Sequence, residues 1–181
     1  GDGAANQGQV YESFNMAELW KLPVVYVIEN NQYAMGTSVA RSSALADFSK
    51  RGMSFNIPGV QVDGMDVEAV QAAGGEAIAY CRSGKGPIIL EMKTYRYRGH
   101  SMSDPAKYRP QGELEEVRKT RDPIDHLKAK LESVGVKEEE LKAIDAEVRQ
   151  IVLDAAEYAR TSPEPDPSEL YTDIYLEAAA Q

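Results

Sequence analysis

Three observations place this chain in the α/β class with a parallel sheet. Helix-period segments and strand-like runs alternate in the order "NQGQVYESFNMAELWKL", "PVVYVIE", "GVQVDG", "DVEAVQAAGGEAIAYCRS" and "GPIILEMKTY". That rhythm gives parallel strands joined by right-handed crossover helices. The run "PVVYVIE" is β-branched and continuously apolar, the pattern of a strand covered on both faces. The most polar short sequences of the first half, "GDG", "ENNQY", "VDG" and "YRYRGH", fall at strand carboxyl ends. Ligands bind beyond those ends in such sheets.

The elements follow in order. The first helix has Val10, Phe14, Ala17 and Leu19–Trp20 near a 3.6-residue period and stops at Pro23. A strand follows, then a polar loop from Asn30 to about Ser43, then a short helix around Ala44 to Lys50. After "GVQVDG", Asp66 is placed to cap the next helix and Gly84 lies just past its end. The Gly74-Gly75 pair weakens that helix without breaking it. From Glu113 the style changes: "DPIDHLKAKLESVG" and "KEEELKAIDAEVRQIVLDAAEYA" read as amphipathic helices, with Leu141, Ile144, Val148, Ile151, Ala155 and Ala159 as one apolar stripe. "TSPEPDPSELY" reads as an extended proline-rich linker leading to the tail "TDIYLEAAAQ". The expected division is 1–112 as the α/β part, 113–160 as helices packing on it, and 161–181 as linker and tail. A doubly wound sheet also calls for a strand leading into "GDG". The expectation is therefore a partial fold whose upstream strands belong to a longer polypeptide.

Composition narrows the function. Residues 1–112 carry eleven acidic and eleven basic side chains, whereas 113–181 carry eighteen and nine. The formal net charge of -9 thus arises entirely in the second part, the wrong sign for a nucleic-acid backbone. Against that trend, Lys93, Arg96, Arg98, Lys107 and Arg109 face only Asp104 within one short stretch, which points to a small anionic ligand. The apolar run "LPVVYVI" is far shorter than the ~20 residues that span a bilayer. The single cysteine, Cys81, forms no internal disulfide, fits a reducing compartment and reads as a buried small hydrophobe. His126, within a helix, reads as structural or surface.

The opening "GDG" carries the chemistry. Gly1 and Gly3 permit a tight turn and close approach to a ligand, and Asp2 offers a hard oxygen. A helix starting near Asn6 would aim its N-terminal amides at a diphosphate. Asn31, with 28 residues between it and Asp2, closes the following strand and can add a neutral amide oxygen. Mg²⁺ takes such oxygens and completes its shell with water or phosphate. Singly, "GDG" is a turn and "NN" a loop; together, across one helix–strand unit, they describe a metal–diphosphate clamp.

"GDG…ENN" is similar to the metal-binding motif of thiamin diphosphate-dependent enzymes. The longer string "GDGAANQGQVYESFNMAELWKLPVVYVIENNQYAMGTSV", with "YCRSGKGP" and "TYRYRGHSMSDP", resembles the alpha subunits of the decarboxylating component of pyruvate dehydrogenase complexes over nearly all of residues 1–160. The resemblance implies a thiamin diphosphate-binding fold with Asp2, the Asn31 side chain and the Tyr33 carbonyl as Mg²⁺ ligands. It implies Gly3 and Ala4 against the diphosphate, and Arg96 paired with it. His100 is then an active-site group at the thiazolium end, suited to proton donation during acyl transfer to a lipoyl disulfide. Ser101 matches a kinase-target serine of animal relatives. This chain reads "DPAKYR" where those relatives have a second serine, so such control is not expected here. Asp104, Tyr108 and Arg109 are expected to order this loop around bound cofactor. The implied activity is oxidative decarboxylation of pyruvate with transfer to the lipoyl domain of a transacylase. It requires a beta subunit in a heterotetramer, in the cytoplasm or the mitochondrial matrix. Branched-chain 2-oxoacid and acetoin relatives are the alternatives, and the isolated 181 residues are expected to bind without turnover.

Overall fold

In the computed structural model, which describes residues 1–173, a 3-10 turn at Ala4–Asn6 precedes helix α1 (Gly8–Leu19). Strand β1 (Val25–Asn30) leads into a small hairpin of β2 (Tyr33–Ala34) and β3 (Thr37–Ser38), then the helical turn α2 (Val39–Ser42). A 3-10 segment at Phe48–Phe55 connects to β4 (Gly59–Asp63), α3 (Val67–Arg82) and β5 (Ile88–Lys93). Helices α4 (Glu113–Arg121), α5 (Pro123–Ser133) and α6 (Glu138–Thr161) follow, then a 3-10 turn at Pro167–Tyr171. The chain divides into two compact units, Gly1–Lys130 and Leu131–Gln181. The stretch expected as an extended linker instead begins inside α6 at Thr161 and ends in the 3-10 turn Pro167–Tyr171, and residues 174–181 of the expected tail lie outside the described residues.

The sheet of the first unit has the order β1-β5-β4, all parallel. The central strand β5 is buried from Ile88 to Met92, and successive side chains serve opposite faces. Ile89 joins Ala5, Phe14, Ile28, Val39, Phe48 and Ile57 on one side. Ile88, Leu90 and Met92 pack with Val62, Ala77 and Cys81 on the other. Phe14 is completely buried and meets Tyr26 edge-on, with ring centroids 4.7 Å apart. Burying one such side chain stabilises by roughly 1.5–3 kcal/mol, so Phe14 pins α1 to the sheet. Burial pushes the Cys81 thiol up, which suits its structural place. Asp66 caps α3 through Oδ1, which accepts from the amides of Glu68 and Ala69 at 2.9 and 3.1 Å.

Several sequence expectations are corrected. The helix expected at 44–50 is displaced: α2 ends at Ser42, and Asp47 caps a 3-10 segment from Phe48 by accepting from the Ser49 amide at 3.2 Å. The loop expected from Asn30 to Ser43 contains the β2–β3 hairpin. Strand β1 stands first in the order β1-β5-β4, with Ile28 buried and Val27, on the opposite face, 53% exposed among the described residues. In α1, Phe14 and Ala17 are buried but Leu19 and Trp20 are exposed at the helix end. Leu141 is buried, whereas Ile144, Val148 and Ile151 of the same stripe are exposed. The acidic-then-basic α4 has no apolar period to reveal it: Glu113, Glu115 and Glu116 open its first turn and Arg118, Lys119 and Arg121 close its last. That order suits the helix dipole.

Candidate functional site

The parallel register aligns the carboxyl ends of the three strands, with Asn30 and Asp63 both opposite Lys93. The chain continues from those ends into the "NNQY" turn and the "RYRGH" loop. Gly1, Asp2, Gly3, Ala4, Asn31, Tyr33, Ala34, Met35, Arg96 and His100 line one open cavity of about 290 Å³ there. Every residue singled out by sequence as a metal, diphosphate or catalytic group is on that cavity. Ser101 and Ser103 are exposed beside it in sequence, their hydroxyls 3.0 Å apart.

Asp2 is only 2% exposed, and its Oδ2 is buried with no hydrogen-bond partner. A buried carboxylate oxygen left unpaired is costly, and a cation is the partner that reverses the cost. The Asn31 amide oxygen accepts from the Tyr33 amide at 3.3 Å, which makes the turn and leaves a second lone pair. Among the described residues, no three His, Cys, Asp or Glu side chains are grouped to hold a metal. The available donors are one carboxylate, one amide oxygen and backbone carbonyls. That hard, sparse oxygen set fits Mg²⁺, which keeps water or phosphate oxygens in its shell.

Gly3 is fixed by space. A Cβ there would stand 2.6 Å from the Ala34 Cβ, so the hairpin closes on the turn only over a glycine. The helix expected to start near Asn6 starts two residues later, behind a 3-10 turn. The amides of Ala5, Asn6 and Gln7 bond the carbonyls of Gly1, Gly3 and Ala4, and α1 begins at Gly8. The Asp2–Ala4 backbone, rather than α1, therefore forms the cavity wall. Arg51 braces this turn from behind, donating to the Ala5 carbonyl at 2.5 Å and the Tyr11 hydroxyl at 3.1 Å.

Arg96 Nη1 lies 3.0 Å from His100 Nδ1. A guanidinium only donates, so Nδ1 accepts and the ring proton sits on Nε2. Asp104 staples the loop: its carboxylate accepts from the His100 amide at 2.7 Å, the Ala106 amide at 2.8 Å and the Tyr108 hydroxyl at 2.8 Å. Those bonds hold the Asp104 carboxyl below its usual range, the His100 amide having the largest effect. Arg109 donates to the carbonyls of Tyr97 and Arg98, and its guanidinium lies over the rings of Tyr33, Tyr95 and Tyr108. Burial, then the Glu113 charge, raises the Tyr33 hydroxyl, which donates to Glu113 at 3.3 Å. Arg109 thus serves the loop's architecture, while Arg96 faces the cavity.

Gly1, read from the sequence as part of the turn that approaches a ligand, lines the cavity too, whereas Ala34 and Met35 were missed. Sequence reasoning also missed Glu91, a completely buried carboxylate inside β5 that bonds the Asn30 side chain at 2.6 Å. A lone glutamate inside the apolar run "PIILEM" was the available signal.

A family model described as "Dehydrogenase E1 component" matches residues 1–168, and the chain belongs to that family. It is 70% identical over 177 residues to a protein of Rhizobium meliloti (strain 1021) named pyruvate dehydrogenase E1 component subunit alpha, covering 97% of this chain and 51% of that one. It is 57% identical over 176 residues to the protein of that name from Zymomonas mobilis subsp. mobilis, covering 97% and 50%. With the somatic, mitochondrial form of Sus scrofa it shares 56% identity over 177 residues, covering 97% and 45%. The chain spans about half the length of the curated relatives it matches.

Proposed function

We propose that this chain supplies the metal- and diphosphate-binding side of a thiamin diphosphate site in the alpha subunit of a 2-oxoacid dehydrogenase that acts on pyruvate. The observation that carries this reading is the convergence of Asp2, Gly3, Ala4, Asn31, Tyr33, Arg96 and His100 on one cavity. The printed names of the relatives favour pyruvate over other 2-oxoacids. Asp2, the Asn31 amide and the Tyr33 carbonyl would hold Mg²⁺. Gly3 and Ala4 would let the diphosphate approach the backbone. Arg96 presents a guanidinium fork that suits phosphate oxygens. The bound cofactor supplies the electron sink for decarboxylation. His100, with its proton on Nε2, is a donor for acyl transfer to a lipoyl group. The partners are a beta subunit and the lipoyl domain of a transacylase, in bacterial cytoplasm or the mitochondrial matrix.

The test uses the full-length subunit produced with its beta partner, following reduction of an artificial electron acceptor. Turnover should require thiamin diphosphate and Mg²⁺ and should favour pyruvate over a branched-chain 2-oxoacid and acetoin. Preference for another substrate would replace pyruvate in this reading; no turnover despite bound cofactor would overturn it. His100→Ala should slow transfer to lipoyl groups by about a hundredfold or more at saturating cofactor. Unchanged transfer would remove His100 from the mechanism.

A further inference from the structure

The most deeply buried charge in the described residues is Glu91, completely inaccessible at the centre of the sheet. It points to the same face as Ile89, into a cluster otherwise made of Phe14, Ile28, Phe48 and Ile57. A carboxylate persists in such surroundings only with nearly all its lone pairs occupied. Glu91 meets that demand with three elements at once. Oε1 accepts from Asn30 Nδ2 of β1 at 2.6 Å and has Lys93 Nζ at 3.7 Å. Oε2 accepts from Gln61 Nε2 of β4 at 2.9 Å and from the Ser49 amide at 3.2 Å.

The contact to Asn30 leads to the cavity. With its amide nitrogen given to Glu91, the Asn30 side chain must present Oδ1 to the following turn. That oxygen accepts from the Gln32 amide at 3.2 Å and from Gln32 Nε2 at 3.3 Å. Gln32 has φ +75°, a left-handed conformation that favours glycine and that a longer side chain keeps only when held. Asn31, the candidate metal ligand, lies between the residue that is oriented and the residue that is strained. Gln32 in turn accepts from the Val39 amide through its carbonyl at 3.1 Å, tying the turn to the far end of the hairpin.

We propose that Glu91 is a positioning residue for the metal site: it fixes the orientation of the Asn30 amide, which holds Gln32 in its left-handed conformation and so sets Asn31 at the cavity. The inference rests on the cation-binding reading of Asp2 and Asn31 given above. Glu91 itself touches neither metal nor cofactor. Outer groups of this kind commonly change metal affinity about 10–100-fold.

The hydrogen-bond polarity supplies a test that a merely structural role would fail. Glu91→Gln keeps the volume but places an amide donor against donors. The Ser49 amide is a fixed backbone donor and keeps the new side chain's oxygen, so its NH2 faces Asn30, which must flip and withdraw its oxygen from Gln32. Adding Asn30→Asp restores an acceptor on both sides of position 30 and returns the lost negative charge to the network. In the full-length subunit with its beta partner, Mn²⁺ binding in the presence of thiamin diphosphate is read by electron paramagnetic resonance of free Mn²⁺. Glu91→Gln should weaken Mn²⁺ binding by about tenfold or more, and the double variant should recover most of that loss. The proposal is overturned if folded Glu91→Gln binds Mn²⁺ as wild type does. It is equally overturned if the double variant, folded by circular dichroism, recovers nothing. Asp2→Ala is run alongside: if it leaves Mn²⁺ binding unchanged, the metal site itself is misplaced and the reading on which Glu91 depends fails first.

Discussion

Asp2 and Gly3 show how much one short turn is asked to do. Asp2 carries an unpaired buried oxygen, and Gly3 leaves no room for a Cβ beneath Ala34. Gly3 has φ -66°, so any residue could adopt its backbone conformation, and the constraint is space alone. Gly3→Ala must push the β2–β3 hairpin outward. Overpacking of this kind costs about 1–3 kcal/mol, which should appear as a lowered thermal midpoint of the full-length subunit with weaker thiamin diphosphate binding. Ala34→Gly added to it should restore both. An unchanged midpoint would show that the hairpin does not close on Gly3. At this scale "ENN" and "RYRGH" were legible as polar clusters at strand ends, the spacing joined "GDG" to "ENN", and the family resemblance added Arg96 and His100 to them. The Glu91–Asn30 pair was not. Its members are separated by sixty-one positions, and only the β1–β5 register brings them into contact. Arg51 was hidden for the same reason, since its contacts to Ala5 and Tyr11 span some forty residues or more.

At the scale of elements, the segment from Arg96 to Arg109 is held by side chains rather than by regular structure. Asp104 accepts three hydrogen bonds, and Gly99 accommodates it because a Cβ there would stand 2.5 Å from the Asp104 carbonyl. The carboxyl is lowered in the folded loop, chiefly by the His100 amide, then by the Ala106 amide and Tyr108. A lowered folded value means that the ionised form stabilises the loop. That contribution is complete above the unfolded carboxylate range and is lost only as pH falls through the folded value. Hydrogen exchange over residues 96–109 should therefore be flat in protection from pH 5 to 8 and loosen only below about pH 4. Asp104→Asn should exchange faster throughout. Loss of protection between pH 6 and 8 would contradict this and make a histidine the controlling group. The sequence had assigned Asp104, Tyr108 and Arg109 to loop order around bound cofactor. The hydrogen bonds among the loop's own residues give that order a local cause. Elements with a strong apolar period were read to within a few residues: α3 and β5 are the clearest cases. The short 3-10 segment from Phe48 was misplaced because its start depends on the Asp47 cap, and α4 escaped notice because its stability lies in charge order rather than periodicity.

For the whole molecule, the charge division seen in sequence finds a structural counterpart. The basic stretch from Lys93 to Arg109 follows the central strand and places Arg96 on the cavity, whereas the acidic excess lies beyond residue 112, shared between the helices and the sequence that follows α6. Among the described residues, no helix is long and apolar enough to cross a membrane. The α/β class and the strand-end location of the cavity were legible because both follow from alternation and polarity. The strand order β1-β5-β4 was not, because alternation along the chain does not say which strand stands at the centre. The central claim is that a cation held by Asp2 and Asn31 makes diphosphate binding possible. The most direct test is calorimetric titration of thiamin diphosphate into the full-length subunit with its beta partner, at a series of Mg²⁺ concentrations, for wild type and Asp2→Ala. The account predicts Mg²⁺-dependent binding in the wild type. In the variant, the Mg²⁺ requirement should rise by at least the ~10–100-fold that lesser, outer-shell changes cause. Equal affinity and equal Mg²⁺ dependence in the two proteins would contradict it.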